Sequence, residues 1–374
     1  MKKIVFALCI LFAMCWYGKI VYAEENNDLS VYEIDDIQEF INDELEYKDI
    51  DFKNMLEEIM SGSSKNVFKD MFGMVADNVF AELIYNRNAL TKIIVLAIIS
   101  AFFTCFSEAF NTKQITDTGF FVTYTVIMTI LIASFMVVCS VAEEMIIILL
   151  KYMEVILPSY VLAIGTSVGI GTGTGFYEIM LVVMMGVEYV FLKMVVPAIK
   201  LYVVISLLNN ILNEDMMSKT MDLIKTFIRW STKLMMGVVV GVNVVQSMVM
   251  PMADMAKGKG LYKVLTFLPG VGSGAKTISE ILLGSGVLIK NAIGVAGIVI
   301  IVCIVMVPII KMFVFSICYR FTAAIIQPVS DKKIVRSITG VYEGAEMLMQ
   351  IMLTTAMIFM LSIVIICVMT NKII

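Results

Sequence analysis

The chain has 374 residues, is 60% hydrophobic and contains no histidine, and its mean hydropathy is +0.91. Soluble proteins average about 45–50% apolar residues, so this composition excludes an ordinary soluble domain and points to an integral membrane protein. The net charge of −4 averages two unlike regions: residues 24–88 hold 17 acidic and 5 basic side chains, residues 89–374 hold 15 and 20. The dense charge is acidic, which excludes a basic face for nucleic acid. Without histidine there is no Ser-His-Asp or Cys-His arrangement and the commonest metal ligand is missing. The seven cysteines form no CxxC pair. Cys9 and Cys15 lie in the leading segment, and Cys105, Cys139, Cys303, Cys318 and Cys367 read as small buried hydrophobes. No catalytic, cofactor-binding or metal-binding set is expected, and the chain is not expected to be an enzyme.

Taken in order, residues 1–23 read as a signal peptide. Lys2 and Lys3 precede the apolar run Ile4–Cys15, and Val21-Tyr22-Ala23 offers small residues where a signal peptidase reads. Cleavage after Ala23 is expected, with a retained signal anchor as the alternative. Either outcome places residues 24–88 outside the cytoplasm. This acidic head is amphipathic: Ser30 can cap a helix carrying Val31, Ile34, Ile37, Ile41 and Leu45, and Ile50, Phe52, Met55, Leu56 and Ile59 form a second stripe. Beyond the break at Ser61-Gly62-Ser63-Ser64, Phe68, Phe72, Val75, Val79 and Leu83 form a third. The head reads either as a small bundle with a solvated acidic face or as a module that packs on a partner or on its own membrane domain.

Residues 89–374 form a polytopic membrane domain. Expected spans are 93–110, 119–141, 176–197, 234–251, 291–310 and 346–369, each close to the ~20 residues a bilayer requires. Two weaker segments, 145–164 and 198–212, read as re-entrant or interfacial, giving about six to eight membrane segments. The expected fold is therefore all-α: a polytopic helical membrane protein with a small N-terminal helical extracytoplasmic region. Lys219, Lys225, Arg229 and Lys233, and likewise Lys332, Lys333 and Arg336, mark cytoplasmic segments. The stretch 252–290 should then be external, yet it carries Lys257, Lys259, Lys263, Lys276 and Lys290, which a membrane-dipping hairpin would explain.

Polar groups inside spans are costly and therefore become functional candidates. Glu178, Glu188 and Lys193 share one span, Asn243 and Gln246 share a face of another, and Lys290 and Asn291 open a third. They line a polar path, or they serve as interhelical hydrogen bonds and charges that snorkel to an end. Gly237 and Gly241 make a GxxxG pair for close helix approach, and Gly294 and Gly297 suit the same packing. The glycine-rich run Gly165–Gly175 reads as a loop. Gly270-Val271-Gly272-Ser273-Gly274-Ala275-Lys276-Thr277 imitates a phosphate-binding loop, but Ala275 replaces the glycine before lysine and no α/β domain surrounds it. It reads instead as a turn leading into a helix from Thr277.

One block is more specific. Phe267-Leu268-Pro269-Gly270-Val271-Gly272 is followed by Leu288-Ile289-Lys290-Asn291-Ala292-Ile293-Gly294-Val295-Ala296-Gly297, then Tyr319-Arg320 and Gln327-Pro328-Val329-Ser330-Asp331-Lys332-Lys333. This order resembles the stage III sporulation protein AE family of endospore-forming bacteria. The resemblance implies a membrane subunit of a channel, transport or feeding complex in the mother-cell membrane that surrounds the forespore after engulfment. It implies as partners the sister proteins of the same operon, including an ATPase, and indirectly the forespore's stage II sporulation protein Q, with membrane lipid around the spans. A non-conducting scaffold that assembles the complex through its head is the alternative.

Overall fold

The structure, a computed structural model, describes residues 34–44, 51–61, 113–167, 170–211, 217–265, 272–328 and 330–371, with a few helical residues between 91 and 99. The expected signal peptide, the Ser30 cap, the third head helix and almost all of the expected span 93–110 lie outside the described residues. Two short helices, α1 (Ile34–Glu44) and α2 (Phe52–Ser61), precede α3 (Lys113–Ser167) and α4 (Ile170–Val187). A π-helical segment, Glu188–Val195, joins α4 without a break to α5 (Val196–Ile211). The chain ends in α6 (Ser218–Leu265), α7 (Gly272–Ile326) and α8 (Lys332–Asn371). Every described element is helical.

Among the described residues five helices are long and apolar enough to cross a bilayer: Thr118–Ser167, Gly171–Asn210, Ser218–Val249, Gly286–Ile326 and Lys332–Val368. The described residues hold five because the two weaker segments fuse with their neighbours and the expected span 93–110 lies outside the described residues. Segment 145–164 continues α3 instead of re-entering, since Pro158 removes one ladder hydrogen bond but leaves the helix continuous. Segment 198–212 continues its predecessor through the π-helical turns. There Val196 N–H bonds Phe191 O, five residues back, just before Pro197, which has no N–H to donate. A wider winding accommodates that gap in the ladder. At 50 residues the first helix is roughly 75 Å long against a ~30 Å hydrocarbon core, so its ends project beyond the lipid.

The glycine-rich run is a tight helical hairpin and not a loop: α3 runs to Ser167 and α4 starts at Ile170. At Gly173 a Cβ would sit 2.9 Å from Val161 O, so glycine is what lets the two helices turn back in so few residues. The nucleotide-loop imitation is likewise helical from Gly272 onward, five residues before the expected start at Thr277. Within 252–290, α6 extends to Leu265 and α7 begins at Gly272, so the described residues of this stretch are helical.

Paired contacts give the helix directions. Tyr124 meets Ser337 and Tyr160 meets Ile363, so α3 runs parallel to α8. Lys225 meets Glu343 and Asn243 meets Ser362, making α6 parallel to α8 as well. Arg320 pairs with Glu346 and Cys367 with Asn291, so α7 is antiparallel to them. The basic starts of α6 and α8 therefore lie at one end of the bundle. Helix α8 is the hub, packing on α3, α5, α6 and α7. Within its most apolar stretch 67% of residues are buried inside the protein, against 28% for α6.

The head packs on the body. Helix α1 buries Ile34, Ile37, Phe40 and Ile41 and leaves Asp35, Asp36, Glu39 and Asp43 exposed. Helix α2 buries Phe52, Met55 and Leu56, and Asp51 Oδ1 caps it by accepting from Asn54 N–H at 3.1 Å. Gln38 Oε1 accepts the Phe52 N–H at 2.7 Å and so fixes α2 to α1. Phe40 lies 5.6 Å from the Tyr152 ring of α3, and Lys151 donates to Glu44 at 2.6 Å. The lysine side chain of that pair is 51% exposed and the glutamate 32%, so the pair contributes under about 1 kcal/mol. Burying each apolar anchor contributes about 1.5–3 kcal/mol, and packing decides the docking. Accordingly, Ile41→Ala should destabilise the solubilised protein by about 2–4 kcal/mol and Lys151→Ala by less than about 1 kcal/mol, read from denaturant midpoints. Equal effects would show that the ion pair holds the head.

Candidate functional site

The interior polar groups gather on α8. Near its start, Asp331 Oδ1 accepts from Lys333 N–H at 2.8 Å and caps the helix. One turn on, Ser337 Oγ lies 2.7 Å from the Tyr124 hydroxyl, accepts from Asn210 Nδ2 at 3.3 Å and donates to Lys333 O at 2.8 Å. Tyr124 also donates to Leu207 O at 2.8 Å. Asn209 Oδ1 accepts the Met217 N–H at 2.9 Å and ties the start of α6 to α5.

Glu343 forms the next layer. Its Oε2 accepts from the Tyr202 hydroxyl at 2.6 Å and from Lys225 Nζ at 2.8 Å, and the Lys225 ammonium stands 5.0 Å from the Tyr202 ring centroid. Three helices thus converge on one carboxylate oxygen. Two further ion pairs, Lys200–Glu143 at 2.8 Å and Arg320–Glu346 at 3.2 Å, lie at the surface of the same half of the bundle. This layer depends on glycine: a Cβ at Gly340 would strike Ser206 Oγ, and one at Gly344 would strike Val203 Cγ2 and approach Phe135 at 2.9 Å. Gly340-Val341-Tyr342-Glu343-Gly344 is the small-xxx-small motif on which the body closes.

Farther along α8, Ser362 Oγ accepts from Asn243 Nδ2 at 2.9 Å, and the same Nδ2 donates to Val239 O at 2.9 Å. Cys367 Sγ donates to Asn291 Oδ1 at 3.0 Å, and Tyr160 donates to Ile363 O at 3.2 Å. Lys290 is fully buried and Gln246 is buried too. The structure thus draws Asn243 and Asn291 onto opposite sides of one stretch of α8. It leaves Glu178, Glu188 and Lys193 exposed on α4 and the π-helical segment. A Cβ at Gly294 would lie 3.4 Å from the Tyr160 ring, and one at Gly297 would sit 2.6 Å from Ile156 Cδ1. Among the described residues a Cβ at Gly237 or Gly241 would meet nothing within 4 Å.

Ser337, Gly340, Glu343 and Gly344 escape a reading by hydropathy because that reading starts the last span at 346, and Tyr124, Tyr202 and Lys225 become partners only once those residues are placed. The GxxxG spacing around Glu343 is the signal that marks them. Among the described residues no three His, Cys, Asp or Glu side chains converge as a metal set. The arrangement offers hydrogen-bond donors and fixed charge inside a helical bundle.

Lys225 and Glu343 are 33% and 34% exposed, so their coupling is screened. A double-mutant cycle with Lys225→Met and Glu343→Gln should return about 1 kcal/mol, and Tyr202→Phe should cost about 1 kcal/mol. Gly340→Leu and Gly344→Leu should cost about 3 kcal/mol or more, whereas Gly237→Leu should stay within about 0.5 kcal/mol, as thermal or denaturant unfolding would read.

The comparisons with known proteins accord with this architecture. The family model described as stage III sporulation protein AE matches residues 50–370. The chain is 21% identical over 339 residues to stage III sporulation protein AE of Bacillus subtilis (strain 168), covering 89% of this chain and 85% of the relative. No solved structure matches. A helical membrane body whose family match runs through every long helix belongs to the stage III sporulation protein AE family.

Proposed function

We propose that the protein is a membrane subunit of the channel, transport or feeding complex that links mother cell and forespore after engulfment. The observation that carries this reading is the family match over residues 50–370. Its partners on this reading are the sister proteins of the same operon, an ATPase among them, and through them the forespore's stage II sporulation protein Q. The energy source lies in that ATPase. In this arrangement the chain sits in the mother-cell membrane around the forespore. The end of the bundle where Lys219, Lys225, Arg229, Lys332, Lys333 and Arg336 gather faces the cytoplasm, as positive charge does in membrane proteins. The head, entering through a signal sequence, stands on the other side.

The alternative is a non-conducting scaffold. The outward acids of α1, Asp35, Asp36, Glu39 and Asp43, favour it, because a docked head with a free charged face suits recruitment of other chains.

Deleting the gene should arrest sporulation after engulfment; normal heat-resistant spores from a clean deletion would overturn the proposal. A chain with Glu178 and Asn243 both replaced by leucine distinguishes the readings. A conducting subunit should still be retrieved with its partners yet fail to support the forespore, whereas a scaffold should sporulate normally.

A further inference from the structure

Gln246 follows Asn243 by three residues, so both side chains project from the same face of α6. Asn243 bonds Ser362 of α8 at 2.9 Å, which turns that face toward the hub. Gln246 is only 4% exposed, and no protein group bonds its Oε1 or its Nε2. Neighbouring polar groups are spent elsewhere: Asn243 Nδ2 serves Ser362 and Val239 O, Ser362 Oγ donates to Ile358 O at 2.8 Å, and Ser247 Oγ donates to Val244 O at 2.9 Å. Burying an amide with both ends unmatched is strongly unfavourable, all the more at membrane depth, where no bulk water offsets it. An apolar side chain of the same length would fill the space without that penalty.

We propose that the Gln246 amide is the recognition group of a small buried site on the inward face of α6, beside the Asn243–Ser362 contact. The site takes one molecule that both donates and accepts a hydrogen bond at neighbouring atoms. Water is the smallest such molecule, and a hydroxylic or amide solute of few atoms shares its chemistry. The carbonyl accepts from the guest and the NH₂ donates to it, and a buried guest held by two or more polar contacts is stable in a protein interior. The site stands independently of sporulation and of whether the assembly conducts.

The test uses the full chain in lipid nanodiscs. Gln246→Met keeps length and shape but removes both polar atoms. If the amide holds a guest, the unfolding midpoint falls by several degrees. A midpoint that rises or stays put overturns the site, because a dry amide is relieved by an apolar replacement. The wild-type chain gives a second readout that does not depend on how the variant folds. With ¹⁵N-glutamine labelling, the Gln246 side-chain resonance is identified by its loss in Gln246→Asn. A cross-peak from it to water supports the site with water as guest. Transfer of that cross-peak to added glycerol or acetamide, with saturation, supports the site with a dissolved polar guest. Cross-peaks to aliphatic protons alone overturn it.

Discussion

The fold depends on one close approach: α8 lies against α5 and α3 at Gly340 and Gly344, where any side chain would strike Ser206 or Val203. Only at that separation can the Tyr202 hydroxyl reach Glu343 while Lys225 closes on the same oxygen from α6. In a bilayer the hydrophobic effect does little to bring apolar helices together, since lipid solvates them as well as protein does. Packing at small residues and polar contacts between helices carry the association. Both concentrate on α8, which explains why the helix that touches four others also carries Ser337, Glu343 and Ser362.

The helix directions extend this arrangement. Helices α3, α6 and α8 run one way and α7 runs the other, so the basic starts of α6 and α8 share an end. The ion pairs Lys200–Glu143, Lys225–Glu343 and Arg320–Glu346 all fall in that half. The opposite half is knit by neutral contacts, namely Asn243–Ser362, Cys367–Asn291 and Tyr160–Ile363 O. The opposite half also carries charge, in the Lys151–Glu44 pair at the head and in the buried Lys290.

Much of this was legible in the chain before any coordinates. The all-helical membrane class follows from runs of apolar residues, and the amphipathic stripes of α1 and α2 appear as Ile34, Ile37, Ile41 and Phe52, Met55, Leu56. Hydropathy could not show where one span ends and the next begins, because a window average treats Lys151 and Pro158 as interruptions although both sit in the unbroken α3. Glycine spacing alone did not sort the contacts. Gly237 and Gly241 have the helix-packing spacing but face outward, whereas Gly340 and Gly344 have the same spacing and lie at the tightest contact. Spacing along one helix says which residues share a face and nothing about which way that face points. Glu178 and Asn243 separate for the same reason, one exposed and one buried.

The π-helical segment Glu188–Val195 has a consequence for descent as well as for packing. Helix α4 lies on α3 and α6, and α5 keeps both and adds α8, so one continuous helix gains a neighbour across these eight residues. A five-residue ladder spends one more residue per turn than a four-residue ladder and rotates everything after it about the helix axis. A relative that winds this stretch as plain α-helix would need one residue fewer here to present the same faces. The place to look for a single-residue gap between distant members is therefore inside an apolar helix, just before Pro197, and not in a loop.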